Sequence, residues 1–146
     1  MLNRLFEDAA LIKLLNVEDA LAVAEYPASG SYIEVGNYER FAFLVGAGGL
    51  DSATVLQVHQ AATISGTPKD VTGATLTIGA TGDDKWYLIE VQTNQLDLNN
   101  GYNYVTLDVT GPTGDDYACI WFFGFNPGEQ PVTQGSDRGS SVFVGG

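Results

Sequence analysis

The fold is decided by the stretch Tyr102-Asn103-Tyr104-Val105-Thr106-Leu107-Asp108-Val109. In it, apolar Val105, Leu107 and Val109 alternate with Tyr104, Thr106 and Asp108. Because successive side chains of a strand point to opposite faces of its sheet, this alternation predicts a strand with one buried and one solvated face. Strands of this kind are typical of antiparallel β proteins.

Six further stretches on both sides of this one are short, apolar in pattern and bounded by turn residues. Phe41, Phe43 and Val45 share one face of the first long one, and Leu56 and Val58 lie opposite Gln57 and His59 in the next. The predicted strands cover residues 32–35, 40–45, 54–60, 74–78, 86–91 and 118–125. About seven such strands predict an all-β fold, an antiparallel β-sandwich or jelly-roll-like domain.

The last predicted strand, residues 118–125, is apolar on both faces. Ile120 and Phe122 lie on one face, whereas Trp121, Phe123 and Phe125 lie on the other. A strand with two apolar faces has to be covered on both sides. Its second face is therefore expected to meet either the N-terminal segment or another subunit.

The N-terminal segment differs from the rest of the chain. Its apolar residues recur at helical spacing, which predicts a short helical arm that is ordered only when docked. The predicted organisation is a helical docking arm at 1–29, a β-sandwich domain at 30–131 and a flexible C-terminal tail at 132–146. The residues predicted to contact partners are Leu2, Leu5, Phe6, Ile12, Leu15, Trp121, Phe123, Phe125, Val142, Phe143 and Val144.

The charge and the cysteine content restrict which partners and which classes of protein are possible. The net charge is −12 and the six basic residues are scattered singly, which disfavours nucleic acid and anionic membranes as partners. The single cysteine, Cys119, excludes an internal disulfide and lies in the most apolar strand, so a buried, inert thiol is expected. No apolar run approaches the roughly 20 residues of a membrane helix. Glu7 and Asp8 interrupt any signal peptide, which predicts an intracellularly made, soluble protein.

No motif indicates catalysis. Thr-Gly-Asp-Asp occurs at 81–84 and 113–116 and is interpreted as a turn rather than a calcium loop. His59 is the only histidine and has no nucleophile motif to serve, so it is expected at a surface or interface. The sequence thus predicts no enzyme activity, no cofactor and no metal. Aromatic residues such as Trp86 and Trp121 suit either a carbohydrate platform or, more commonly, a core or subunit interface.

Residues 32–131 resemble small structural proteins of tailed bacteriophages, of the capsid decoration (cement) kind. The likeness rests on pattern, in residues 37–45, 55–62, 65–67, 69–74, 86–91, 96–97 and 101–105. The resemblance implies a β-sandwich that binds the major capsid protein on the outer capsid surface, often as a homotrimer. It also implies synthesis in the host cytoplasm and location in the virion. The alternatives are a head–tail or tail component and a carbohydrate-binding β-sandwich module.

Overall fold

A computed structural model of the chain describes residues 8–16, 19–113 and 116–128. The predicted contacts at Leu2, Leu5 and Phe6, and those at Val142, Phe143 and Val144, lie outside these residues, as does the predicted tail. Within the described residues, no helix has the length and apolar character needed to cross a membrane.

In the part of the chain that the structure describes, nine antiparallel strands form two sheets. Sheet I contains β1 (Ala9–Leu15), β4 (Tyr38–Ala47), β7 (Trp86–Gln92) and β9 (Ala118–Pro127) in the order β1-β9-β4-β7. Sheet II contains β2 (Ala24–Tyr26), β5 (Thr54–Ala61), β6 (Lys69–Ile78) and β8 (Tyr104–Thr110) in the order β2-β8-β5-β6. Strand β3 (Ile33–Glu34) pairs with β8 beside β2, and two 3₁₀ turns, Thr93–Gln95 and Leu98–Asn100, connect β7 to β8.

The strand pairs are nested in the manner of a jelly roll. β1 pairs with β9, β2 and β3 with β8, β4 with β7, and β5 with β6. Successive pairs alternate between the two sheets, so the first strand lies beside the last and the middle strands lie beside each other. The predicted all-β sandwich is confirmed.

The core lies between the sheets and consists of the alternating apolar residues that the sequence singles out. In β8, Val105, Leu107 and Val109 are fully buried. Three phenylalanines fill the centre on the side of sheet I: the Phe122 ring centroid is 5.5 Å from that of Phe43 and 6.1 Å from that of Phe41. Aromatic pairs at these distances add about 1 kcal/mol each to the hydrophobic contribution.

The predicted helical arm is wrong for residues 9–15, which form β1, and residues 24–26 form β2. Leu15 and Leu21 are buried in the core, so the described part of residues 1–29 belongs to the sandwich. The physical reason is that β1 is apolar on both faces. Ile12 faces the core and Leu11 lies on the other face, so the strand has the same apolar composition as a helix would have. Pairing with β9 outweighs the local preference of these residues for a helix.

Candidate functional site

The outer face of sheet I carries a continuous apolar patch. Pairing places Leu11 beside Phe123 and places Trp121, Leu44 and Leu88 in one row across three strands. We call this patch the aromatic face and define it as Leu11, Leu44, Trp86, Leu88, Trp121, Phe123 and Phe125. Trp86 is 71% exposed and Leu88 is 42% exposed, whereas the three aromatic residues of β9 are half-buried.

The aromatic face carries few charged groups, and one of them, Lys13 of β1, pairs with Trp121. Phe123 and Phe125 stack with ring centroids 6.1 Å apart and planes inclined by 7°. At its edge, the Arg40 guanidinium lies 5.7 Å from the centre of the Phe125 ring and pairs with the Glu90 carboxylate at 3.2 Å. Positioned aromatic rings bordered by paired charges resemble the centre and rim of a protein–protein interface.

The predicted contact residues divide into two groups in the structure. Trp121, Phe123 and Phe125 lie together on the aromatic face. Ile12 and Leu15 instead pack into the protein's own core, because they lie on the inward side of β1, so they do not form a partner surface. β1 borders β9 edge to edge and does not cover the second face of that strand.

The predicted contacts lacked four residues of this patch: Leu11 of β1, Leu44 of β4, and Trp86 and Leu88 of β7. The last two point away from the inward Tyr87, Ile89 and Val91 of the same strand. Their signal in the sequence was a pair of large apolar residues on the polar side of an alternating strand. That signal is weak, because isolated exposed apolar residues are common on protein surfaces.

Cys119 is half-buried and lies on the outer side of β9, so the prediction of a buried thiol is wrong. Its partner across β4 is Gly46, where an added Cβ would come within 2.9 Å of the Cys119 Sγ atom. The thiol therefore occupies space that only a glycine leaves open.

An open cavity of about 440 Å³ lies beside these residues, between Trp86 and the exposed ring of Tyr117.

The first Thr-Gly-Asp-Asp copy lies at a turn, and the described residues of the second are Thr113 and Asp116. Residues 81–84 connect β6 to β7, where the Tyr87 hydroxyl donates to the Gly82 carbonyl. In the second copy, the fully buried Asp116 carboxylate accepts hydrogen bonds from the backbone N–H groups of Asp51, Ser52 and Thr113 and from the Ser52 hydroxyl. Burial raises the pKa of Asp116, but these hydrogen bonds outweigh it and hold the pKa below its usual value. The Asp116 carboxylate therefore connects the loop before β5 to the loop after β8.

The outer face of sheet II is polar, and His59 lies on it as predicted. Its ring nitrogens lie near the carboxylates of Glu25, Asp70 and Asp108, and the side chain is 16% exposed. Burial raises the pKa of Asp108; His59 opposes that rise, and Glu25 and Asp70 add to it. The cluster could not be predicted from the sequence, because its members come from four different strands that only the sheet register brings together.

Comparisons with protein-family models, with curated proteins and with solved structures found no match.

Proposed function

We propose that this protein is a structural component of a bacteriophage virion, a decoration protein that binds the outer capsid lattice and stabilises the head. It acts as a homotrimer whose partner is the major capsid protein, and it is made in the host cytoplasm. The aromatic face is the contact surface, and no catalytic step is involved.

The observation that carries the proposal is the aromatic face itself. A patch of large apolar side chains that spans four strands of a sheet is unusual for the surface of a monomer and marks an interaction site. A stable specific contact buries about 800 Å² per partner, an area that a four-stranded sheet face is large enough to supply. Jelly rolls also build viral capsid domains, which is an argument from fold alone and has correspondingly less weight.

The test uses the full chain and purified phage heads that lack it. Leu88→Glu places a charge on the aromatic face, and Val55→Glu is the matched control, because Val55 is 37% exposed on a strand of sheet II. We expect the wild type and Val55→Glu to co-sediment with heads and Leu88→Glu to lose binding by at least about tenfold, since a buried unpaired charge is costly.

Electron microscopy of the decorated heads identifies the location. Density on the capsid lattice supports the proposal, and density confined to the neck or tail favours the head–tail alternative. Equal binding by Leu88→Glu and the wild type would show that the aromatic face is not the contact.

A carbohydrate-binding role is the second candidate, and the cavity between Trp86 and Tyr117 favours it. Exposed aromatic rings beside an open cavity suit stacking on a sugar ring, with Asp84 and Lys85 at its edge as hydrogen-bonding groups. Binding on a glycan array that is lost in Trp86→Ala but retained in Leu88→Glu would favour this role over the capsid proposal.

A further inference from the structure

Four strands of sheet II bring one histidine and three carboxylates together on its outer face. Glu25 of β2 pairs with Asp108 of β8, and His59 of β5 pairs with Asp70 of β6. Asp108 is also paired with Gln57, two positions before His59, so the two pairs occupy adjacent rows of the same face. The sheet register, and no flexible loop, sets the spacing of these groups.

The two nitrogens of His59 have different surroundings. Nε2 lies 3.0 Å from Asp70 Oδ1 and 3.9 Å from Asp108 Oδ2. Nδ1 is buried, lies 3.5 Å from Glu25 Oε1 and has no hydrogen-bond partner among the described residues. A metal ion bound between Nδ1 and Oε1 would serve as a partner for both atoms.

The distances suit a metal ion. Bonds of about 2.0–2.2 Å to a tetrahedral centre place neighbouring ligand atoms about 3.4 Å apart, close to the Nδ1–Oε1 separation. One ligand atom each from Glu25, His59 and Asp108 lies within 4.8 Å of the other two.

The outer partners that orient metal ligands are present as well. The buried Tyr32 hydroxyl donates to Oε2 of Glu25, which leaves Oε1 directed at His59. Asp70 holds the far nitrogen of the His59 ring, as carboxylates do for many zinc-bound histidines. The loop that carries Tyr32 is itself anchored, because Tyr32 and Gly30 donate backbone hydrogen bonds to the Ile64 carbonyl.

We propose that Glu25, His59 and Asp108 form a binding site for a divalent transition-metal ion of the Zn²⁺ class, with Tyr32 and Asp70 as positioning residues. One imidazole nitrogen with carboxylates suits Zn²⁺ better than Ca²⁺, which takes six to eight oxygen ligands. The ion would fasten β2, which is only three residues long, to β8 and β5. The proposal is independent of the capsid role.

The test is a titration of the full chain, after treatment with a chelator, with Zn²⁺ and separately with Ca²⁺ by calorimetry at pH 7.5. We expect one Zn²⁺ per chain, no comparable Ca²⁺ binding, and a rise in Tm of about 5 °C or more at a hundredfold excess over Kd. Glu25→Gln, His59→Gln and Asp108→Asn should each weaken Zn²⁺ binding about 100-fold, and Asp70→Asn about tenfold. In the Co²⁺-loaded protein, Asp70→Asn should also shift the visible absorption bands, which a merely structural role would leave unchanged.

Glu34→Gln is the matched control, because it removes the same charge from the same sheet at an exposed position. Its Zn²⁺ affinity should equal that of the wild type. The Tm of each variant in chelator shows whether it is folded, so a loss of binding can be separated from unfolding. A wild type that binds no Zn²⁺, or a Glu34→Gln variant that loses as much affinity as Glu25→Gln, would overturn the proposal. The cluster would then be an imidazolium held by three carboxylates.

Discussion

At the residue scale, Asp116 links three separate parts of the chain. Its carboxylate accepts hydrogen bonds from residues before β5 and after β8, and its carbonyl accepts one from Leu21. Asp116→Asn removes the charge and leaves N–H donors facing an amide, so we expect a loss of about 2–3 kcal/mol in the free energy of unfolding at pH 7. Urea denaturation measures this loss. Asp51→Asn, at an exposed position, should change it by under about 0.5 kcal/mol.

The same residue predicts a pH dependence. Because the pKa of Asp116 is lower in the folded protein than the unfolded value of about 3.9, its contribution is complete above that value and is lost as the pH falls through the folded pKa. The difference in stability between the wild type and Asp116→Asn should therefore be constant above about pH 5 and shrink below about pH 4. A difference that stays unchanged between pH 5 and pH 2 would contradict this account.

Gly111 is a second single position on which the loop after β8 depends. Its φ is +104°, and an added Cβ would lie 2.2 Å from the Ala53 carbonyl oxygen, a backbone atom that cannot move independently. Gly111→Ala should cost about 3 kcal/mol through strain and overlap. Gly49→Ala, where nothing lies within 4 Å of the added Cβ, should cost under about 1 kcal/mol by thermal or urea denaturation. Equal losses in the two variants would show that the loop can adjust.

At the scale of elements, β1 is an integral strand. Ile12 pairs with Phe122 and packs against the core, so Ile12→Asp should lower the free energy of unfolding by more than about 3 kcal/mol. Val23→Asp is the control in the same N-terminal segment, because Val23 is 62% exposed and should tolerate the charge. Similar denaturation midpoints for the two variants would mean that β1 contributes little to the fold.

The strands that could be predicted are those whose burial is one-sided. Alternation located β4, β5, β7 and β8 to within a few residues, because one face meets the core and the other meets water. β1 was mistaken for a helix because both of its faces are apolar. The strand predicted at 32–35 contains β3, which is only two residues long. β2, with three residues, is too short to show a pattern and forms through pairing with β8.

At the scale of the whole molecule, the two outer faces differ in chemistry. Sheet I presents the aromatic face, whose paired outer positions carry three charged residues: Lys13, which pairs with Trp121, and Arg40 and Glu90, which form an ion pair. Sheet II presents Glu25, His59, Asp70 and Asp108. The sequence revealed the aromatic residues of β9 through a single strand, but the complete face and the histidine cluster required the strand order, which no local pattern encodes.

The charge of the chain predicts how the protein associates with itself. The net charge is −12, so copies repel each other at low salt, and added salt screens that repulsion. Sedimentation velocity should show a shift from monomer toward trimer as NaCl rises from about 20 mM to about 500 mM, since the Debye length falls well below 10 Å over that range. Leu88→Glu and Val55→Glu should both follow the wild type, because the aromatic face is proposed to contact the capsid and not another copy. A Leu88→Glu variant that stays monomeric at high salt would instead show that the aromatic face joins the copies, and the capsid contact would then have to use another surface.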